Sequence, residues 1–204
     1  MIKTKEIDKY IHNVLLKRKD TLLTEDDLKI IKRIVLSAVD FDGEKITYDF
    51  DDIKQLTNLG SCTLEFFEID NEIVSSLSSL KRLEELNISH CKFLNSNKIS
   101  CNLKTLIISY TDLNEFDILE FPEGIDTLKL IEVGKIDFNI LTKLKNIKNL
   151  YIYNSEINNI KEISKLTVLS RLKLDGTKID DEDILIKLDK NIQIQRKDVY
   201  LLES

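Results

Sequence analysis

The sequence predicts an α/β solenoid: a right-handed stack of short coils with a concave parallel β-sheet and an N-terminal two-helix cap. Three observations predict it. A strand-and-bend pattern recurs along the chain. Its copies stay in phase, with steps of 20 or 22 residues. Two segments of helical periodicity precede the first copy, where a coil stack needs its open core covered.

The pattern is clearest at Leu83, Leu86, Ile88, Cys91 and Phe93. This is L-x-x-L-x-L-x-x-C-x-L with Ile and Phe in two leucine places, the signature of a leucine-rich repeat. Leu86 and Ile88 alternate with Glu85, Asn87 and Ser89, the period of a half-buried strand. One coil cannot enclose its own apolar side and needs a neighbour above and below. Copies follow at Leu103, Leu106, Ile108, Thr111 and Leu113, at Ile125, Leu128 and Leu130, at Ile147, Leu150, Ile152, Ser155 and Ile157, and at Leu169, Leu172, Leu174, Thr177 and Ile179. Leu64 and Phe66 extend the phase back by 22 residues, with Ser61 in the leading place. The expected spine is therefore Leu64, Leu86, Leu106, Leu128, Leu150 and Leu172, closed by a last strand at Ile192 and Ile194.

The N-terminal elements have their own signals. Ile7, Tyr10, Ile11, Val14 and Leu15 have helical spacing over residues 5–19. Thr24 to Asp27 has capping-box form, with acids in the first turn and Leu23 and Leu28 placed as a staple. Leu28, Ile31, Ile34, Val35 and Ala38 then read as the apolar stripe of a second helix. Asp40 to Gly43 is a turn. Ile46, Tyr48 and Phe50 alternate with polar residues and predict a strand joining cap to coils. Ile53, Leu56 and Leu59 lead into the first coil. The expected organisation is a cap over 1–43, about six coils over 44–190 and a C-terminal cap over 191–204, as one cooperative unit.

The return segments carry apolar residues three to four apart, which suggests helical turns on the convex side. Examples are Leu77 and Leu80, Ile140, Leu141 and Leu144, and Ile160, Ile163 and Leu166. Acids at 180–183 followed by Ile184, Leu185 and Leu188 predict a helix over 180–190. Phe121, Pro122 and Gly124 read as a turn. The tail from Arg196 would shield the last strand edge.

Taken with the turn at Gly43, Ile46 and the leads Ile53, Leu56 and Leu59, the Thr24–Leu28 cap resembles the helical cap and first repeat of bacterial internalin-type leucine-rich repeat proteins. The 22-residue spacing is similar as well, and the resemblance covers nearly the whole chain. It implies a curved solenoid that binds a partner protein on its concave face. The chain departs from that class at the bend, where Asn is expected and Cys91, Thr111, Ser155 and Thr177 stand. Hydroxyls can supply one backbone bond each in place of the Asn amide. Val133 cannot, and its coil finds its next apolar residue at Ile136, one place late, so an irregularity is expected over Val133–Ile136.

Charged residues are 32% of the chain and the net charge is −6, an acidic balance that argues against nucleic acid as partner. No apolar run is long enough for a signal peptide near the N-terminus or for membrane insertion. Cys62, Cys91 and Cys101 are an odd set without metal-ligand spacing, consistent with reduced thiols in the cytoplasm.

The chemistry-bearing residues do not assemble into a catalytic motif. Cys91 adjoins His90 but should point inward while His90 points out. A nucleophile needs its base within hydrogen-bond reach. The acids between Asp40 and Asp52 have the length of a calcium loop, but Lys45 stands where the loop requires Gly and Asp51 where it requires Glu. No catalytic residue, metal ligand or cofactor is therefore expected.

The informative surface is the outward face of the sheet. By the repeat phase one column holds Glu65, Asn87, Ile107, Lys129, Tyr151 and Lys173, and the next Phe67, Ser89, Ser109, Ile131, Tyr153 and Asp175. A solvated strand face should be polar, but Ile107, Ile131, Tyr151 and Tyr153 are not, and Tyr110 flanks them. Strands favour β-branched and aromatic residues in any case. Exposed aromatic clusters nevertheless mark interaction sites. The expected partner-binding set is Phe67, Ile107, Ser109, Tyr110, Lys129, Ile131, Tyr151, Tyr153 and Lys173. The expected function is a non-enzymatic protein-interaction module. A regulatory or immunity-type subunit that neutralises another protein is the alternative, followed by a metal protein built on the acidic turn 40–52.

Overall fold

A computed structural model describes residues 2–12, 23–40, 42–94, 97–99, 102–112, 119–120, 122, 124–188 and 191–197. Eight parallel strands form one sheet in strict chain order. They are Arg33–Ser37, Ser61–Glu65, Glu85–Ser89, Thr105–Ser109, Thr127–Ile131, Asn149–Tyr153, Arg171–Lys173 and Gln193–Gln195. Short helices and two- or three-residue strands fill the returns. The fold is α/β and its arrangement is solenoid-like.

Strict alternation puts two columns of side chains into the core. One column runs Ile34, Cys62, Leu86, Leu106, Leu128, Leu150 and Leu172, and its register continues to Ile194, which is exposed at the end of the stack. The other runs Leu36, Leu64, Ile88, Ile108, Leu130 and Ile152. Leu86, Leu106, Leu128, Leu150 and Leu172 are fully buried. The spine is continuous from Leu86 onwards as expected, but its first member is Cys62. Leu64 pairs with Ile88 and not with Leu86. The step from Cys62 to Leu86 is 24 residues, because the return between them contains the helix Asn71–Ser78. A fixed 22-residue step therefore misplaces this coil by two residues, which preserves the core and open faces but shifts every column position.

The cap also differs from expectation. The helix over Lys5–Tyr10 is present, and the remainder of the expected helix lies outside the described residues except for Ile11 and His12. The capping box at Thr24 is formed: Thr24 Oγ1 accepts from the Asp27 N–H, and Asp27 Oδ2 accepts from the Thr24 N–H. That helix stops at Lys29, and Arg33–Ser37 is the first strand of the sheet. Ile34, Leu36 and Ala38 satisfy a period of two as well as Ile31, Ile34 and Ala38 satisfy a helical one. Pairing with Ser61–Glu65 settles the choice, because a helix here would leave the outer edge of that strand without backbone partners. The edge is thereby occupied, so Ile46–Phe50 is not a strand. Instead Tyr48 and Phe50 fold back and pack their rings against Phe67.

Asp52 ties this end together. It is fully buried, and its carboxylate accepts from the backbone N–H groups of Lys3 and Thr4 and from Gln55 Nε2. Thr4 in turn is the residue from which the first helix starts.

The return segments form the expected helical turns at Phe138–Leu141, Ile160–Lys165 and Asp183–Lys187. The turn at Phe121–Gly124 falls partly outside the described residues, as does the tail beyond Lys197.

At the bends the hydroxyls replace Asn as their chemistry suggests. Thr111 Oγ1 accepts from the Cys91 N–H at 3.3 Å and donates to the Ser109 carbonyl at 3.0 Å. Ser155 Oγ does the same for the Val133 N–H and the Tyr153 carbonyl. Thr177 Oγ1 donates to the Ile152 carbonyl one coil back. Val133 is buried without any such group, and the extra residue of its coil is Gly134, at φ +74°. Ile136 thus reaches the register of Ile157 although it stands one place late.

Candidate functional site

The open face of the sheet carries three columns. Its middle column runs Val35, Thr63, Asn87, Ile107, Lys129, Tyr151 and Lys173. Its last column runs Ser37, Glu65, Ser89, Ser109, Ile131 and Tyr153. Ile107, Lys129 and Tyr151 are thus direct neighbours across three strands, as are Ser109, Ile131 and Tyr153. All except Ser109 are half-buried, and Ser109 is buried. Strand alternation alone holds Tyr151 and Tyr153 on one face while Leu150 and Ile152 fill the core.

Cations surround the two tyrosines. Lys129 Nζ lies 5.7 Å from the centroid of the Tyr151 ring, and Lys173 Nζ lies 5.4 Å from that of Tyr153. Arg171 donates to the Tyr151 hydroxyl at 3.1 Å. Lys173 also meets the Asp175 carboxylate at 3.0 Å, and the hydrogen bond to Asp175 holds its ammonium above the usual lysine range. The patch therefore mixes aromatic and aliphatic side chains with basic ones, and Lys129 stands between Ile107 and Tyr151.

Phe67 is corrected. It is 6% exposed, with its ring against Tyr48 and Phe50, inside the core. The two-residue slip in the first coil explains the misplacement: Glu65 occupies the outward position that the fixed step assigns to Phe67.

A second feature is not legible in the repeat pattern. The residue that ends each inner strand has positive φ: Phe66, His90, Tyr110, Glu132, Asn154 and Gly176, between 48° and 64°. This left-handed residue turns the chain away from the sheet while its N–H still bonds the next coil, as His90 does to the Ser109 carbonyl and Tyr110 to the Ile131 carbonyl. Asn and Gly suit that conformation; for bulky residues it costs roughly 1–2 kcal/mol each. Phe66, His90 and Tyr110 nevertheless occupy three successive places. Their rings stack, with centroids 4.8 Å and 4.6 Å apart and planes 28° and 16° from parallel. Phe66 and Tyr110 are each 48% exposed. Tyr110 thus belongs to this rim stack, one place beyond the open-face columns. A run of Phe, His and Tyr at the bend position was the available signal in the sequence.

No family model matches the chain, and no curated protein does. Solved structures do. An internalin C2 from Listeria monocytogenes aligns over 96% of this chain and 94% of its own, at 18% identity and a TM-score of 0.54. An internalin from the same organism aligns over 97% of this chain and 77% of its own, at 14% identity and a TM-score of 0.36. The likeness to internalin C2 is one of fold.

The cysteines and the acidic turn are held within the fold. Burial pushes the Cys91 thiol up to about 11 and the Cys62 thiol up to about 12. Cys91 Sγ donates to the Leu64 and Ser89 carbonyls, while His90 stacks outside and exchanges a hydrogen bond with Ser89 Oγ. In the acidic turn, Asp40 accepts from the Asp42 and Glu44 N–H groups, and Asp49 from that of Asp51. Among the described residues no cluster of three or more His, Cys, Asp or Glu could hold a metal ion. No described helix is long and apolar enough to cross a membrane.

Proposed function

We propose that this protein is a non-enzymatic protein-interaction module, a right-handed leucine-rich repeat solenoid whose concave sheet face binds a partner protein. The observation that carries the reading is the cluster of Tyr151 and Tyr153 with Ile107 and Ile131 on neighbouring strands, on a face that solvent alone would keep polar. The tyrosines are the anchors. Lys129 and Lys173, beside Arg171, favour acidic groups on the partner. The fold shared with internalin C2 agrees with a binding role.

Tyr151→Ala combined with Tyr153→Ala tests the reading. The circular dichroism spectrum and Tm should stay near those of the unaltered protein, because neither ring is in the core. A protein captured by the unaltered chain and identified by mass spectrometry should be lost. Equal capture by both proteins overturns the assignment.

A further inference from the structure

The stack of Phe66, His90 and Tyr110 has two ends, and they differ in chemistry. Beyond Tyr110 the next left-handed place holds Glu132, which is exposed and whose Oε1 accepts from Asn154 Nδ2 at 3.3 Å. Among the described residues Glu132 has no ion pair. His90 covers one face of Tyr110 at 4.6 Å, so the other is turned along the column towards Glu132. Adjacent strands are about 4.8 Å apart, which is the spacing of the rings themselves. Tyr110, 48% exposed, is therefore the last ring of the stack, and a carboxylate holds the next place along the column.

We infer that this end of the stack is a receptor for an arginine side chain of the partner protein. A guanidinium is planar and cationic; it stacks on aromatic faces and pairs its N–H fork with a carboxylate. At the rim it would lie parallel to the Tyr110 ring and donate to Glu132. A lysine ammonium could meet the charge but would not extend the stack. Three bulky residues in a strained conformation, where Asn or Gly would be relaxed, are explained by such a role: the backbone conformation is what brings the rings into line outside the sheet. The inference rests on the partner-binding reading and adds one chemical requirement on the partner, at a site separate from Tyr151 and Tyr153.

The test uses the full chain with the peptide acetyl-Gly-Arg-Gly-amide, followed by NMR on the ring signals of His90 and Tyr110. The arginine peptide should shift both in a saturable way. The citrulline analogue, planar and of the same shape but uncharged, should not, and the lysine analogue should bind at least twofold more weakly. Glu132→Gln should abolish the saturable response, as should Tyr110→Asn read at His90, since Asn tolerates positive φ and preserves the bend. The double Tyr151→Ala, Tyr153→Ala variant should keep it. A flat titration with the arginine peptide, an equal response to citrulline, or a response surviving Glu132→Gln overturns the inference. If partner capture still depends on Tyr151 and Tyr153, such a failure removes the arginine receptor and leaves the concave-face reading standing.

Discussion

Gly176 stands so close to Asn154 that a Cβ built on it would lie 2.2 Å from Asn154 Oδ1. The two occupy the same left-handed place in successive coils, at φ +64° and +48°. Gly176→Ala should therefore cost stability twice, through its positive φ and through displacement of the Asn154 amide. The expected loss is about 1–2 kcal/mol from the backbone alone. Urea denaturation measures it. Adding Asn154→Ala should relieve the steric part and leave the backbone part, so the two changes should not be additive.

The stacked core predicts how damage spreads. Leu150 is fully buried between Leu128 and Leu172. Leu150→Asp places an unpaired charge there, at a cost on the order of 3–5 kcal/mol. Because each coil is supported by its neighbours, circular dichroism should show loss of the whole array rather than of one coil. Native-like helical and strand signal with only local exchange of amide protons would contradict this.

The bend hydroxyls are expected to act independently. Thr111→Val leaves the buried Cys91 N–H without its acceptor, and Ser155→Ala does the same to Val133. Each should destabilise by about 1–3 kcal/mol. Thr111 and Ser155 lie two coils apart, so the double variant should equal the sum within about 0.5 kcal/mol. Denaturation midpoints of the four proteins check both statements.

Burial of Cys62 and Cys91 predicts slow thiol chemistry. With Cys62 raised to about 12, roughly one thiol in ten thousand is ionised at pH 8. Labelling of both residues by a thiol reagent at pH 8 should then proceed only as fast as the protein opens. Both shifts are upwards, so the folded state holds protons that the unfolded chain releases. Their contribution to stability is fully present below the ordinary thiol value of 9.0 and declines from there towards 11 and 12. Unfolding midpoints measured between pH 8 and pH 10 should fall, and less so in Cys62→Ala.

Much of the fold is written locally. From Leu86 to Leu172 the alternation of apolar and polar residues determined strand, inward column and open face, because a side chain on a strand has only two directions available. The capping box at Thr24 and the hydroxyl bonds of Thr111, Ser155 and Thr177 followed from side-chain chemistry at known offsets. The late Ile136 announced the extra residue at Gly134. Tyr151 and Tyr153 were placed on the open face for the same reason.

Other features depended on neighbours distant in the chain. Ile31 to Ala38 fits a helix and a strand equally, and only the partner strand Ser61–Glu65 made it a strand. Phe67 takes the buried bend place that Cys91 takes in the next coil, and a fixed 22-residue step misses this because the return containing Asn71–Ser78 is two residues longer. The Phe66, His90 and Tyr110 stack arises from backbone angles that their side chains do not favour, imposed by the bonds of each bend to the next coil. The sequence by itself determined the repeating unit and which of its faces is apolar, since those are properties of one strand. The tertiary structure alone decided register, the identity of the first strand and the alignment of the rim rings, since each of these is a relation between coils.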